Sequence, residues 1–448
     1  MTNQTPSPKP VQPGNHPTVY RASWVCPVDG PPIQNGFVEI KDEPGDGLNE
    51  GFDRRVIANV GRFADYQGPS QRVDDLGDGA IIPGLINAHS HLEFSDLPKP
   101  LGQAGIGFTD WIRLIVKSRS DSNDGSPTRK SAAIKLGIEQ SVRSGVAAVG
   151  EIATMPFELS DYASNAPISI LHFLEQLGSD EAILDARGKQ LSNHLSRSSL
   201  KLRQAQDSAD GASGIRLAES SFGASPHAPY SCHPKLVEQI CRIAAANKSI
   251  VAMHLAETKQ ERELLESGSG DFVELLKDFG VWNPDLFSSD RSILSTLQVL
   301  SKCRSMIVHG NYLNEQELDF IAKHRESMSI VFCPRTHAFF KHDSYPIQKI
   351  LDRGIGVAVG TDSLASNPDL DLFEELKQIA KSFPQIGSEQ ILKLGTANGA
   401  AAIGMASQLG TLTPGKSAVM GFVESTDADS NGPLEGWLFS STSNCRRI

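Results

Sequence analysis

Residues 80–91 read Ala80-Ile81-Ile82-Pro83-Gly84-Leu85-Ile86-Asn87-Ala88-His89-Ser90-His91, an apolar run that ends on two histidines. In an extended strand residues i and i+2 point to the same side, so both imidazoles can face one point. The pattern recurs downstream. Seven more short apolar runs follow: Val146 to Gly150, Ile168 to His172, Gly223 to His227, Ser249 to His254, Ser305 to His309, Ser329 to Cys333 and Gly354 to Gly360. Longer segments separate them, some amphipathic, notably Pro234 to Ala245 and Lys259 to Phe279. Eight buried strands alternating with helices give an α/β fold, and an open doubly wound sheet would carry the same runs. Polar, reactive residues close five of the eight runs, which selects a (β/α)8 TIM barrel, whose sites are built at the C-terminal strand ends.

The flanks read differently. Val19 to Ala22, Gly36 to Ile40 and Val56 to Val60 are short strand candidates around an acidic, Gly-rich loop from Asp42 to Asp53. Ser417 to Val423 is a further strand, and Gly436 to Ile448 returns to this first β region. The expected organisation is a disordered tail (1–17), the first part of a small β domain (18–79), the barrel (80–405) and the second part of the β domain (406–448). Asp185 to Gly214, rich in Ser, Arg, Gln and Ala, reads as a helix-bearing mobile insertion between the third and fourth strands.

Bulk properties narrow the function. The chain has 448 residues, 39% hydrophobic and 21% charged, ample for a sizeable core. A net charge of -11 argues against a nucleic-acid surface and against an anionic membrane as partner. The six cysteines contain no CxxC pair and read as reduced, buried thiols. The start of the chain has no apolar core of a signal peptide, and no run of 18 apolar residues occurs, so a cytoplasmic location is expected.

Four constellations carry chemistry. His89 and His91 are the first. His254-Leu255-Ala256-Glu257 is the second: His254 offers a third imidazole, and Glu257 lies where a carboxylate can move a proton between water and substrate, or merely cap a helix. His309, closing the sixth run, suits a ligand, a proton relay, an electrophile or a buried structural histidine. Asp362 in Gly360-Thr361-Asp362-Ser363 suits a metal ligand, a proton acceptor or an N-cap. Each signal is modest alone. Together, at strand ends around one barrel mouth, three imidazoles and a carboxylate match what catalytic zinc requires, and such a metal brings the pKa of water from 15.7 to about 7.

These residues resemble the amidohydrolase superfamily, most closely its branch of cytosine, guanine and adenosyl-type deaminases and triazine (chloro)hydrolases. The matching stretches are Pro83 to Phe94 (PGLINAHSHLEF), Ser225 to Tyr230 (SPHAPY), His254 to Thr258 (HLAET), Ile307 to Gly310 (IVHG) and Val357 to Ser366 (VAVGTDSLAS), with Gly395 to Ala401 and Gly410 to Lys416 in the tail. The resemblance implies a distorted TIM barrel with a small composite β-sandwich domain formed by both chain ends. It implies His89, His91, His254 and Asp362 as ligands of one divalent metal, zinc before iron, because the third and fourth strand candidates lack the lysine of binuclear members. Glu257 would be the general acid/base, His309 would polarise substrate or orient water, and His227 would approach the substrate. Homodimers, common in such families, are implied as well.

Around this set, Glu93 and Trp111 are candidate pocket residues, Trp111 with packing as its alternative. Cys333-Pro334-Arg335-Thr336-His337 departs from the branch's Ser-Asn, so Arg335 and His337 are candidates for a polar or anionic substrate group, with a structural ion pair as the other reading of Arg335. The HLEF stretch also resembles aminodeoxyfutalosine deaminases. The function expected is hydrolytic deamination of an amino-substituted heterocycle (adenosine-, guanine- or aminodeoxyfutalosine-like). A triazine-type chlorohydrolase or simple amidohydrolase would use the same site, and an inactive barrel scaffold would be missing part of it.

Overall fold

The computed structural model describes residues 19–43, 54–121, 127–162, 168–207, 219–287, 291–425 and 433–448. The tail at 1–17 and most of the acidic loop lie outside them. Eight parallel strands form a barrel in chain order: β6 (Leu85–Ser90), β7 (Val146–Ala153), β8 (Ser169–Gln176), β9 (Glu219–Pro226), β10 (Ile250–Leu255), β11 (Arg304–His309), β12 (Met328–Phe332) and β13 (Gly356–Val359). The first and last meet only at a Ser90–Asp362 bridge, so the barrel is nearly closed. Five strands come before it, β1 (Val19–Val25), β2 (Ile33–Glu43), β3 (Arg54–Arg62), β4 (Val73–Asp75) and β5 (Ala80–Pro83); two follow, β14 (Met420–Ser425) and β15 (Ser443–Arg447).

Side-chain alternation fixes what the barrel encloses. Ile86, Ala88, Ala148, Ile152, Leu171, Phe173, Ala252, Met306, Val308, Val331 and Ala358 point inward as one buried cluster, and the helix Ala397–Ala402 seals the bottom with Ala400 and Ala402. Burying such side chains stabilises by about 1.5–3 kcal/mol each for the larger ones. Phe173 fills the lumen because Gly150 and Gly223 face it: a Cβ on either would stand 3.3 or 2.5 Å from its ring. The outward residues of the same strands (Val149, Ile170, Leu174, Met253, Ile307, Ile330, Val357) pack beneath the helices.

The second sheet runs β15-β14-β5-β1-β2-β3, with β4 beside β1. It is one continuous sheet that folds over on itself, for Val56 of β3 bridges Ser417 just ahead of β14, rather than two separate layers. Ala22, Val38, Ile40, Ile57, Ile81 and Phe422 fill the fold.

Some expected elements shift. Lys259 to Phe279 is two helices, Lys259–Ser267 and Asp271–Asp278, because Gly268 and Gly270 take positive φ (63° and 91°). The described part of the expected insertion is a helix, Leu184–Asp207, whose Leu191, His194 and Leu195 are buried. β8 runs four residues past the expected end at His172. All six cysteines are buried free thiols. Among the described residues no helix is long and apolar enough to cross a membrane.

Candidate metal centre

Strand ends bring the sequence-predicted residues together. One nitrogen each of His89, His254 and His309 lie within 4.8 Å of one another, as do ligand atoms of His89, His91 and Asp362. Asp362 Oδ1 stands 3.6 Å from Nε2 of both His89 and His91, too far for hydrogen bonds. It is close to the spacing of roughly 3.3 Å expected between tetrahedral ligands bonded at about 2.0–2.1 Å. Both ring nitrogens of His89 and Nδ1 of His91 are buried without a hydrogen-bond partner. Orphaned, converging nitrogens beside a carboxylate are the donor set of a first-row divalent ion, so these residues fit a metal.

Each ligand candidate is held by its backbone. Ala256, His309 and Asp362 all adopt left-handed φ (55°, 69° and 57°), costly for residues with a side chain, at the ends of three barrel strands. Asp362 is pinned by its N–H donating to His89 O (3.1 Å) and by Ser366 Oγ donating to Oδ2 (3.0 Å). Thr361 N–H donates to Asn87 Oδ1 (3.1 Å), and Asn87 Nδ2 donates back to Thr361 Oγ1 (2.8 Å). His254 Nδ1 lies 2.9 Å from His227 O; donating there, it leaves Nε2 for the centre. Behind His91, the buried Glu151 accepts from Leu92 N–H (2.9 Å) and Tyr162 OH (3.3 Å) and so fixes the turn that follows the histidine pair.

Glu257 is set from below. The carboxylate of Glu261 accepts from Glu257 N–H (2.8 Å) and Ala256 N–H (3.1 Å), while Asn311 Nδ2 donates to Glu257 O (3.0 Å). Its own carboxylate reaches His309, with Oε1 3.4 Å from Nε2. Burial, then the charges of Asp362 and Glu261, push the Glu257 carboxyl well above its usual range. Burial likewise lowers His91, His254 and His309, keeping their imidazoles neutral. For Asp362 burial acts upward, but His89, His91 and His309 outweigh it and hold the acid below the usual carboxylate range. One group is poised to hold a proton beside another that stays ionised, a division of labour suited to proton transfer.

The outer candidates divide. His227 lies at the centre, its ring 5.1 Å from that of His254, with Nδ1 2.6 Å from Ser231 Oγ. Trp111 donates its indole N–H to Ala365 O (3.0 Å) and packs on Phe108 and Phe340. Glu93 is taken up by Arg119, Lys130 and Thr154 at the barrel mouth. His337 packs against Tyr345, whose OH donates to His309 O (3.0 Å). Arg335 forms a two-pronged pair with Asp369 (2.6 and 3.0 Å). A separate cleft beside His233, Trp282 and Arg291 lies outside the barrel, and the Arg291 guanidinium there is used on the carbonyls of Leu286, Pro229 and Cys232.

Sequence reasoning missed Glu261, which holds the backbone of Glu257. Glu261, four residues past Glu257, is the first-turn acid of a helix capped by Thr258, a signal that was legible.

Residues 80–442 match the amidohydrolase family. An aminodeoxyfutalosine deaminase of Nitratiruptor sp. is 27% identical over 312 residues, 69% of each chain. A 5-methylthioadenosine/S-adenosylhomocysteine deaminase of Pyrococcus furiosus is 28% identical over 390 residues, 84% of this chain and 82% of that one. Among solved structures, Helicobacter pylori aminofutalosine deaminase superposes with a TM-score of 0.72 at 19% identity, covering 96% of this chain and 99% of the other.

Proposed function

The chain belongs to the amidohydrolase family, and on that premise we propose that it is a metal-dependent hydrolase of non-peptide carbon–nitrogen bonds that deaminates an adenosine-type heterocycle. The observation that carries this reading is a pair of ligand triads sharing His89, one with His91 and Asp362 and one with His254 and His309, with Glu257 3.4 Å from His309. The names of its relatives, deaminases of adenosine-like compounds, support the substrate class.

His89, His91, His254 and Asp362 would hold one divalent ion, zinc before iron, since three neutral imidazoles and one carboxylate are a zinc donor set. When bound, the ion supplies Lewis acidity that makes water nucleophilic near neutral pH. β8 and β9 contain no lysine, in keeping with a single ion. Glu257, with its raised affinity for a proton, takes one from the attacking water and gives it to the ring nitrogen next to the amino-bearing carbon. His309 stays neutral, orients the water through its contact with Glu257, and assists departure of ammonia. Asp362, ionised before the attack, accepts the second proton of the water and passes it to the departing amino group, which leaves as ammonia. General acid–base steps of this kind contribute roughly 10²–10⁴-fold each.

The test is elemental analysis of the purified protein beside His89→Ala and Asp362→Ala, with ammonia release from adenosine and 5′-methylthioadenosine. One equivalent of metal, lost in both variants along with ammonia release, is the expected result. Protein that stays metal-free after reconstitution, with ammonia release unchanged in the variants, would overturn the reading.

A further inference from the structure

β8 continues past His172 to Gln176, and that extension puts a carboxyl on the inner wall of the barrel. Its inward positions are Leu171 and Phe173, both in the lumen cluster, so Glu175 is the next inward residue, one step nearer the mouth. The register pairs Glu175 with Ser225 of β9, which is inward by the same count from Gly223. His227, two residues beyond Ser225, ties the two strand ends together by donating its N–H to Gln176 O (3.1 Å). On the other side, β7 leads to Thr154, which holds Glu93 together with Arg119 and Lys130. Glu175 therefore sits on the inner wall of the barrel, between His227 and the Glu93 cluster.

Both side chains lack partners. Among the described residues nothing hydrogen-bonds or ion-pairs with the Glu175 carboxyl, although the residue is only 7% exposed. Ser225 is 0% exposed and its Oγ has no hydrogen-bond partner. A carboxyl held this far from water without a partner costs stability that an apolar residue in its place would not. The outward-facing Glu151 of β7, by contrast, is satisfied by Leu92 N–H and Tyr162 OH.

We propose that Glu175 reads the non-reacting part of the substrate by hydrogen-bonding a pair of neighbouring hydroxyl groups. The chemistry selects such a partner. A carboxyl offers two acceptor oxygens at the spacing of a vicinal diol. Arg119 and Lys130 on this wall are both taken up by Glu93, so a neutral donor-bearing group is favoured over an anion. Burial, then Glu93, push the Glu175 carboxyl up to about 7, against the lowering effect of Arg119 and Lys130; hydroxyl donors would draw it back toward ionisation.

The inference rests on the deaminase reading and is tested by a cycle that separates the two. Steady-state constants are measured for wild type, Glu175→Gln and Glu175→Ala with adenosine and with 2′,3′-dideoxyadenosine, alongside metal content. The expected result is a KM for adenosine raised roughly 10- to 100-fold in Glu175→Ala, kcat within about threefold and metal unchanged. With the dideoxy substrate, the same substitution has no further effect, because the groups it addresses are gone. Glu175→Gln, which keeps the shape and one acceptor, lies between and carries the test if the alanine variant does not fold. Equal effects on both substrates, or none on adenosine, would overturn the assignment while leaving deamination intact. No ammonia from either substrate with metal-loaded wild type would overturn both.

Discussion

Gly360 stands at the end of β13, and a methyl group there would strike the first metal-ligand candidate. A Cβ built on it lies 2.8 Å from His89 Cβ, 2.8 Å from His89 O and 3.0 Å from His89 N. Carbon atoms pack at about 3.5–4.0 Å, so the Gly360→Ala variant must open that gap by roughly 0.7 Å or more. The obstacles are backbone atoms and a Cβ, which cannot rotate aside, and His89 O also accepts the N–H of Asp362. The strain is expected to cost about 1–3 kcal/mol and lower Tm by a few degrees. Function should suffer more, since displacing a reacting group by about 1 Å costs on the order of a hundredfold. Gly356→Ala, in the same strand, is the control: its Cβ would meet only Ser329 Cβ, at 3.8 Å. The assay is metal content, thermal unfolding and ammonia release for both variants. Gly360→Ala with full metal and wild-type kcat/KM would refute the reasoning, as would equal damage in the control.

Other expectations follow from individual residues. Glu257→Gln should lower kcat by about 10²–10⁴-fold with metal content unchanged, and a kcat within threefold of wild type would remove Glu257 from proton transfer. Glu375 is fully buried, and burial, opposed by Arg335, pushes its carboxyl from the ordinary 4.5 up to about 8. The native state therefore keeps this proton while the unfolded chain loses it: stability from this group is intact below about pH 4.5, declines as pH rises, and is fully lost above about 8. Glu375→Gln should flatten that slope between pH 5 and 8 in urea unfolding, and an unchanged slope would refute the assignment. Arg335→Ala should lower stability by about 1 kcal/mol, because Asp369 is half exposed, and leave KM within twofold; a tenfold KM increase would return the guanidinium to the pocket.

The candidate metal centre was legible because each candidate ligand ends an apolar run, so position along the chain translated directly into position around the barrel mouth. β8 shows where that rule fails. His172 looked like such an ending, yet it points outward, where Phe157 and Tyr162 pack its ring at 5.3 and 4.5 Å. In a parallel strand buried on both faces, a polar residue does not mark the end, and Glu175 was lost with the four residues beyond it. The break at Gly268 and Gly270 was visible as Ser267-Gly268-Ser269-Gly270 and was outweighed by the helical periodicity on either side. The pairing of Arg335 with Asp369 is a tertiary fact, and no local pattern announces it.

The small sheet sets an order of events on the ribosome. β5 enters the barrel directly through Leu85, yet one of its edges stays bare until Met420 to Val423 are made to pair with Pro83 to Ala80. At translation speeds of about 5–20 residues per second, every barrel strand emerges in the interval, on the order of tens of seconds. The barrel can thus close while an apolar strand edge still waits for its neighbour, and such edges recruit other chains. The hazard for the nascent protein lies in Ala80-Ile81-Ile82, a segment wholly buried once synthesis is done.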